Sequence, residues 1–302
     1  MAISFPASTT VPVKRTGLQP WMDRVLELTD QVRHEWDPDD IHDLRVALRR
    51  CRTMAETMAE VNPDPGWRKL KKTSRDVFHA LGELRDVQVE RQWLKKMATP
   101  RDHACVYLSK VLARKERSAR GEARRSLESF DRKNWKKWSR KLADKSHFFP
   151  IESVVFQRLA LGRLNDTVEL YQRARSGRSR VAWHRLRIGL KGFRYVVENF
   201  LPQRYDAWRD DLKRVQDLLG DVHDLDVLRG EFLRHKKDLE ASAEEIWKKK
   251  IDDERKIRLD EFRAKMTDRE SLFLVWRSAF GWGHTLQTAS ASPPKNTAYS
   301  AS

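Results

Sequence analysis

Two short segments of this sequence carry the same spaced set of basic residues. The first reads IHDLRVALRRCR from Ile41 and the second reads WHRLRIGLKGFR from Trp183, an offset of 142 residues. Both fit the pattern H-x-x-R-x-x-x-[RK]-x-x-R. Arginine and lysine side chains donate charged hydrogen bonds to phosphate oxygens, and arginine can donate two at once. The pattern therefore indicates anion binding. The matched residues are His42 with His184, Arg45 with Arg187, Arg49 with Lys191, and Arg52 with Arg194.

On a helix, the basic residues of each copy lie together beside an apolar stripe. With Ile41 as the origin and about 100° per residue, the four cations of the first copy project between about 20° and 100°. Apolar residues such as Leu44 and Leu48 project between about 260° and 340°. The second copy repeats this arrangement, whereas Arg50 and Arg185 lie on the far side. A purely solvated face would mix charges of both signs, so each stripe predicts an anion-binding surface.

The histidines His42 and His184 stand at the start of the two stripes. An imidazole can donate a hydrogen bond to a phosphate oxygen or hold a neighbouring arginine in position. Neither histidine has another histidine or a carboxylate three or four residues later on the same face. We therefore predict ligand binding or positioning for this pair and no metal site.

A second repeated element follows each stripe. The segments LGELRD and LGDVHD match Gly82 with Gly220 and Asp86 with Asp224. Glycine inside a helix costs about 1 kcal/mol relative to alanine, so we expect the two glycines to mark a helix break or a close helix contact. The aspartates are natural salt-bridge partners for the stripes. One aspartate per half is too few to neutralise four cations.

Further basic residues have helical spacing and extend the predicted anion-binding surface. Those of the fourth predicted helix fit a generic solvated face equally well. The additional candidates are Lys72, Arg75 and His79 in the first half, Arg209 and Lys213 in the second, and Arg114 and Arg117 on the fourth helix.

Together these elements resemble the CHAD family, the conserved-histidine α-helical domain, over roughly residues 17–280. The resemblance implies an all-α fold of two four-helix-bundle halves related by a pseudo-twofold axis and packed as one domain. It also implies a central groove or pore, lined by basic residues of both halves, that binds inorganic polyphosphate. Some members carry an N-terminal triphosphate-tunnel domain with an E-x-E-x-K motif. This sequence has no such domain, so the associated hydrolase chemistry is not carried over.

Composition and periodicity agree with a basic helical protein. The 302 residues carry a formal net charge of +17, and 35% of them are charged. This excess attracts polyanions without selecting among them. We expect a flexible arm over residues 1–15, a domain over 16–280 with halves of about 16–148 and 149–280, and a disordered tail over 281–302. Helices are predicted at about 18–35, 39–60, 65–98, 101–129, 131–145, 151–175, 180–201, 204–219, 221–240, 242–266 and 268–280.

No common enzymatic signature occurs in the sequence. Phosphate-binding loops of the G-x-x-x-x-G-K-[ST] type, H-E-x-x-H and G-x-S-x-G are all absent. We therefore expect polyphosphate binding without turnover, with no catalytic residue, cofactor or metal. Three alternatives stay open. One is single-stranded nucleic acid, a weaker competitor because the stripes lack stacking aromatics, another is a polyphosphate-metabolising enzyme, and the third is a granule- or membrane-surface scaffold.

The cellular location of the protein can be predicted from its two cysteines and from the absence of long apolar runs. Cys51 and Cys105 are far apart without a C-x-x-C companion, and Cys51 falls on the apolar stripe. No run of about 18 apolar residues occurs, and the N-terminus lacks a signal-like apolar segment. We expect a reduced, cytoplasmic protein without a transmembrane segment, with polyphosphate granules as a further possible location.

Overall fold

The computed structural model describes residues 17–146, 149–177, 179–267 and 271–281. The predicted N-terminal arm and all but the first residue of the predicted tail lie outside these ranges. The chain folds as an all-α protein, and one 3-10 turn follows α9 at Lys236–Asp238. The α-helices are α1 (Leu18–His34), α2 (Pro38–Val61), α3 (Pro65–Thr73), α4 (Arg75–Met97), α5 (His103–Glu128), α6 (Arg132–Ser146), α7 (Val154–Arg175), α8 (Arg180–Phe200), α9 (Pro202–Arg234), α10 (Ala241–Met266) and α11 (Leu272–Ser278).

Both helices that carry the cationic stripes begin with a side-chain cap. The Asp37 carboxylate accepts a hydrogen bond of 2.7 Å from the backbone N–H of Asp39, and Pro38 occupies the first turn of α2. At the start of α8, the Ser179 hydroxyl accepts from the backbone N–H of Ala182 at 3.3 Å. Such caps satisfy N–H groups that have no partner within the helix. They fix where each helix starts, and the apolar stripe packed in the core sets the direction in which the cationic stripe faces.

The helix predicted over residues 65–98 is broken in two at Ser74. This residue ends α3, and the next residue begins α4. Arg52 of α2 donates to the freed carbonyl oxygen of Lys71 at 2.7 Å and to Ser74 Oγ at 3.2 Å. The prediction of one helix was wrong because periodicity cannot reveal a backbone break that a side chain from another helix stabilises.

The predicted break at Gly220 does not exist. Helix α9 runs without interruption through this glycine, and α4 likewise continues through Gly82. On either side of Gly220, Leu219 and Val222 are buried. Their packing outweighs the cost of about 1 kcal/mol for a helical glycine. Gly82 does lie close to another helix, because a Cβ there would be 3.6 Å from Arg45 Nη1.

Four helices surround the centre of the molecule. Helix α2 packs on α4 and α8, and α9 packs on the same two helices, so the contacts close a ring. Helices α1, α3 and α6 cover this ring on one side, and α7, α10 and α11 cover it on the other. The largest core cluster extends through both groups and includes Trp67, Trp135, Phe193, Phe262 and Trp276.

A second core cluster is shared between the two halves. Helices α4 and α5 of the first half pack here with α9 and α10 of the second. The rings of Phe232 and Trp247 are stacked with centroids 4.8 Å apart, and Trp93 is fully buried beside them. Neither half can bury this cluster alone. The pseudo-twofold relation stays a prediction, and helices that carry matched repeat residues contact each other, α2 with α8 and α4 with α9.

Two expectations from composition can be compared with the structure directly. Cys51 is fully buried, as predicted, and burial raises the pKa of its thiol. Of the helices in residues 17–146, 149–177, 179–267 and 271–281, none combines the length and the apolar composition needed to cross a bilayer.

Candidate anion-binding site

The two cationic stripes meet inside the ring of α2, α4, α8 and α9. Arg49 of α2 donates to the hydroxyl of Tyr195 on α8 at 3.1 Å. Arg45, one turn earlier, donates to the carbonyl oxygen of Leu81 on α4 at 2.5 Å. Arg187 and Lys191 of α8 face them, because the charges of Arg45 and Arg49 both act on the pKa of Lys191. The predicted stripes therefore converge on one site.

Each of the other two helices of the ring adds one aspartate and one basic residue to this site. Asp86 and Arg85 come from α4, and Asp224 and His223 come from α9. We call the whole group the central cluster. It consists of Arg45, Arg49, Arg85, Asp86, Arg187, Lys191, Tyr195 and Asp224, with His42, His184 and His223 at its edge.

The two aspartates do not fully compensate the cations. Burial raises the pKa of Asp224 to about 7, although Arg187 and Lys191 act to lower it. Burial also raises the pKa of Asp86, against the opposing charges of Arg45 and Arg187. Neither carboxylate forms a salt bridge within 4.0 Å with Arg45, Arg49, Arg187 or Lys191. Desolvation therefore exceeds ion pairing at both acids.

Desolvation and like charges also weaken the protonated state of the cations. Burial, followed by the charges of Arg187 and Arg49, lowers the pKa of Lys191 to about 6. Burial and Arg49 lower the pKa of Arg45 to about 10. The Nε atom of Arg187 is buried and has no hydrogen-bond partner among the described residues. A bound anion would supply the charge and the acceptors that this group lacks.

Solvent reaches the central cluster even though protein surrounds it. Asp86 is exposed, and Lys191, Arg187 and Asp224 are partly exposed. Protein atoms surround these four side chains, and water still reaches them. We therefore describe the space between the four helices as a cleft. Inside such a cleft, low-dielectric walls concentrate the positive potential of the arginines.

The edge histidines are held mainly in the neutral state. His184 Nδ1 lies 3.2 Å from His223 Nδ1, so one ring donates a hydrogen bond and the other accepts it. Burial, Arg187 and His184 lower the pKa of His223 to about 3. Desolvation and the charges of Arg85 and Arg49 lower the pKa of His42, although its surface reaches solvent. At neutral pH these rings therefore offer N–H donors rather than charges.

Arg52 and Arg194, the last matched pair of the stripes, lie outside the central cluster. Arg52 binds the break at Ser74, and its guanidinium lies 4.8 Å from the ring centroid of Phe78. Arg194 Nε lies 3.7 Å from a Glu198 carboxylate oxygen. Burial lowers the pKa of Arg194, but Glu198 and Tyr205 outweigh it and raise the pKa overall. Both arginines make internal contacts, and a ligand role for them stays a prediction.

The remaining predicted residues lie on exposed surfaces. Arg75 and His79 share one face of α4 with Gly82 and Asp86, at spacings of four, three and four residues, and Lys72 precedes them on α3. These residues therefore lie along the approach to the central cluster. Arg209 and Lys213 of α9 lie 3.8 Å from Asp210 and 2.8 Å from Asp217, respectively.

Arg114 and Arg117 are exposed on α5. The electrostatic influence of Arg114 falls on Tyr107 of the same helix. Neither arginine is among the groups that shift the pKa values of Lys191, Asp86 or Asp224. The structure does not bring this pair into the central cluster.

Comparison with known proteins identifies the family. The model of the CHAD domain matches residues 17–233. This chain belongs to the CHAD domain family. Its fold is similar to the crystal structure of the CHAD domain from the plant Ricinus communis, with a TM-score of 0.55 and 19% sequence identity over 88% of this chain and 92% of that chain. No curated protein matches the sequence.

Five members of the central cluster of this CHAD domain were not among the predicted ligand-binding residues. Asp86 and Asp224 were predicted only as salt-bridge partners, and Arg85, Tyr195 and His223 were not predicted. Arg85 and His223 occupy the same place in the second repeated element, immediately before the matched aspartates. Duplication could therefore have indicated them. Tyr195 gives no such signal, because the equivalent residue of the first copy is Thr53.

Arg50 does face away from the central cluster of the CHAD domain, as its projection predicts, but it is not a free surface charge. It forms a salt bridge with Glu198 and lies 3.5 Å from Asn199 Oδ1, which joins α2 to α8. Its guanidinium also lies 4.3 Å from the ring centroid of Trp21. Substitution of Arg50 would therefore disturb packing, and Arg185, which is exposed on α8, is the better reference position.

Proposed function

We propose that this CHAD domain binds inorganic polyphosphate at the central cluster. The observation that carries this proposal is the convergence of Arg45, Arg49, Arg187 and Lys191 from two sequence repeats in one water-accessible cleft. The desolvated charges are compensated by only two aspartates, and the pKa values of both are raised. A polyanion that enters the cleft gains attraction from both halves at once.

The repetition of the site suits a polymer of identical units. Polyphosphate presents non-bridging oxygens at regular intervals, and arginine can hold two of them at a time. Polyphosphate has no bases or side chains that the protein must distinguish, so cations at matched positions are sufficient for its recognition. The family resemblance points to the same ligand, and polyphosphate in the cytoplasm or in granules is the partner that we propose.

We infer binding without turnover. Phosphoryl transfer usually relies on metal ions that carboxylates hold beside the phosphates. In the described ranges, no three histidine, cysteine, aspartate or glutamate side chains are grouped so that they could hold a metal ion. The carboxyl group of Asp224, with its pKa raised to about 7, is only partly ionised near neutral pH. Incubation of long-chain polyphosphate with the protein and Mg²⁺ should leave its length unchanged on a gel.

Single-stranded nucleic acid is the rival polyanion. Its tight binding generally uses aromatic side chains on which bases stack. Tyr195 is the aromatic residue of the central cluster other than the histidines, and its hydroxyl is occupied by Arg49. We expect an oligonucleotide to be displaced by polyphosphate of equal total charge at the same salt concentration.

The decisive test compares two variants of the central cluster with a matched control. Arg49→Gln and Lys191→Gln each remove a side chain of the cleft, and Arg185→Gln removes an exposed charge from α8. Fluorescence anisotropy at about pH 6, where Lys191 is half protonated, with labelled long-chain polyphosphate should show a loss of about tenfold or more for the first two, since charge-assisted hydrogen bonds are lost. The control should change by less than about twofold. Equal losses in all three folded variants would show attraction through net charge alone.

A further inference from the structure

Helix α6 carries an unusually dense basic surface outside the central cluster. Its sequence RKNWKKWSRKLADKS contains seven basic residues and one acidic residue. Arg132 and Lys145 form salt bridges with Asp30 and Asp64. The other five are exposed and form no ion pair among the described residues. We call these five the α6 basic face, which consists of Lys133, Lys136, Lys137, Arg140 and Lys141.

Helix α3 joins this face to the approach to the central cluster. The amino groups of Lys69 on α3 and of Lys137 and Lys141 on α6 lie 5.4, 5.7 and 5.6 Å from the ring centroid of Trp138. Lys72 follows Lys69 by one helical turn and is also exposed. The basic surface of α6 therefore continues onto α3, with Asp144 as the one acid among the residues that line it on α6.

From α3 the exposed side chains of Arg75 and His79 continue along α4 towards the central cluster. Arg75, His79 and Asp86 lie on one face of α4, and Asp86 belongs to the central cluster. Asp86 follows Arg75 by eleven positions, which is about 16 Å along the axis, and α6 adds about 22 Å. The central cluster, α4, α3 and α6 thus make one extended basic path on the first half of the molecule.

At the aligned positions of α9, the described residues of the second half do not repeat this path. At the offset of 138 residues that relates the second repeated elements, Arg68, Lys72 and His79 correspond to Asp206, Asp210 and Asp217. Lys213, the counterpart of Arg75, lies 2.8 Å from Asp217. A polyanion that leaves the central cluster in this direction meets three aspartates where the first half has an arginine, a lysine and a histidine, so its exit along the first half is favoured.

We propose that a long phosphate chain bound at the central cluster leaves it along α4 and α3 and continues over the α6 basic face. This inference rests on the proposed function. Lysines act as flexible point charges that need no fixed ligand geometry, which suits an extension of a polymer already held at the arginines. Trp138 lies beneath the lysines and is 8% exposed, so the face offers no platform for stacked bases. It also has no exposed large apolar residue to insert into a membrane.

The test compares two pairs of charge reversals. Lys137→Glu with Lys141→Glu changes the α6 basic face, and Lys249→Glu with Lys256→Glu makes the same change in net charge at exposed positions of α10. Each protein is titrated with long-chain polyphosphate, tripolyphosphate and a single-stranded oligonucleotide, and its melting temperature is measured. Tripolyphosphate is short enough to occupy the central cluster alone.

For the α6 pair we expect about tenfold weaker binding of the long chain and a salt slope that is shallower by about 1.4, the value for two lost phosphate contacts. Its affinity for tripolyphosphate, and the affinity of the α10 pair for both phosphates, should change by less than about twofold.

Three results would overturn the path over α6. They are equal losses in the α6 and α10 pairs, an α6 loss that extends to tripolyphosphate, and a loss confined to the oligonucleotide, which would assign the face to nucleic acid. Failure of the proposed function itself gives a different result, in which wild-type protein does not bind polyphosphate or Arg49→Gln retains full affinity.

Discussion

Two groups of the central cluster change charge close to neutral pH. The pKa of Lys191 is lowered to about 6, first by burial and then by Arg187 and Arg49. The pKa of its neighbour Asp224 is raised to about 7, again first by burial. Protonation adds a positive charge at the lysine and removes a negative charge at the aspartate. Both steps make the cleft more positive, so they act in the same direction on an incoming polyanion.

We therefore expect the affinity for polyphosphate to increase as the pH falls from about 8 to about 6. The internal phosphates of the ligand remain ionised over this range, so the change arises in the protein. Isothermal titration calorimetry in two buffers of different ionisation enthalpy should record proton uptake on binding. Lys191→Met should bind more weakly and take up fewer protons. Affinity that stays constant or rises toward pH 8 would contradict this account.

At the residue scale, the sequence predicted which basic side chains meet between the helices better at the middle of each stripe than at its end. The projection correctly grouped Arg45, Arg49, Arg187 and Lys191, because a helix fixes the direction of each side chain about its axis. The same projection included Arg52, which faces the break at Ser74 instead of the cleft. The direction of a side chain about its own helix axis does not reveal which neighbouring helix lies opposite that side chain along the length of the helix. That information depends on tertiary packing.

At the scale of helices, the break between α3 and α4 depends on Arg52. Its guanidinium donates to the carbonyl oxygen of Lys71 and to Ser74 Oγ, and Ser74 is fully buried. In the second half, the buried Leu212 occupies the position equivalent to Ser74, and α9 is continuous there. The polar side chains of Arg52 and Ser74 therefore stabilise the helix break in the first half. In the second half, the buried Leu212 is compatible with a continuous helix.

Arg52→Leu should lower stability much more than binding. Removal of the guanidinium deletes two hydrogen bonds at the break and the contact with the ring of Phe78, which costs on the order of 1–3 kcal/mol. Urea denaturation followed by circular dichroism should detect this loss of unfolding free energy. The affinity of the folded variant for polyphosphate should change by less than about threefold, since Arg52 lies outside the central cluster. A large loss of affinity with unchanged stability would instead make Arg52 a ligand residue.

At the scale of the whole molecule, attraction to a polyanion should depend strongly on salt. The net charge is +17, and the central cluster and the basic path offer roughly six to ten cations to one ligand chain. Because binding displaces counterions from the polymer, the logarithm of affinity should fall with the logarithm of salt concentration with a slope of about −4 to −7. Titrations between low and moderate salt would measure it. A slope near zero is incompatible with the central cluster as the binding site.

Helical periodicity and the family resemblance correctly predicted an all-α molecule, and the repeat predicted two halves packed as one unit without showing which residues join them. Matched motifs suggest two similar units, whereas Trp93 of the first half and Trp247 of the second share one core cluster. The repeat cannot reveal this sharing, because the two residues belong to different helices whose relative orientation is set only in the folded chain. The predicted halves of 16–148 and 149–280 therefore describe the repeat and not two separate cores.

Helix α9 extends unbroken from one core cluster into the other, with Leu212 and Val215 in the first and Leu228 and Phe232 in the second. Its 33 residues make a rod of about 50 Å. The corresponding part of the first half is divided at Ser74 into a nine-residue helix and a longer one. One side of the cleft is therefore formed by the continuous helix α9, and the other side by α4, which is separated from α3 by the break at Ser74. If the cleft widens when a polyanion binds, we expect the angle between α3 and α4 to change and α9 to stay straight.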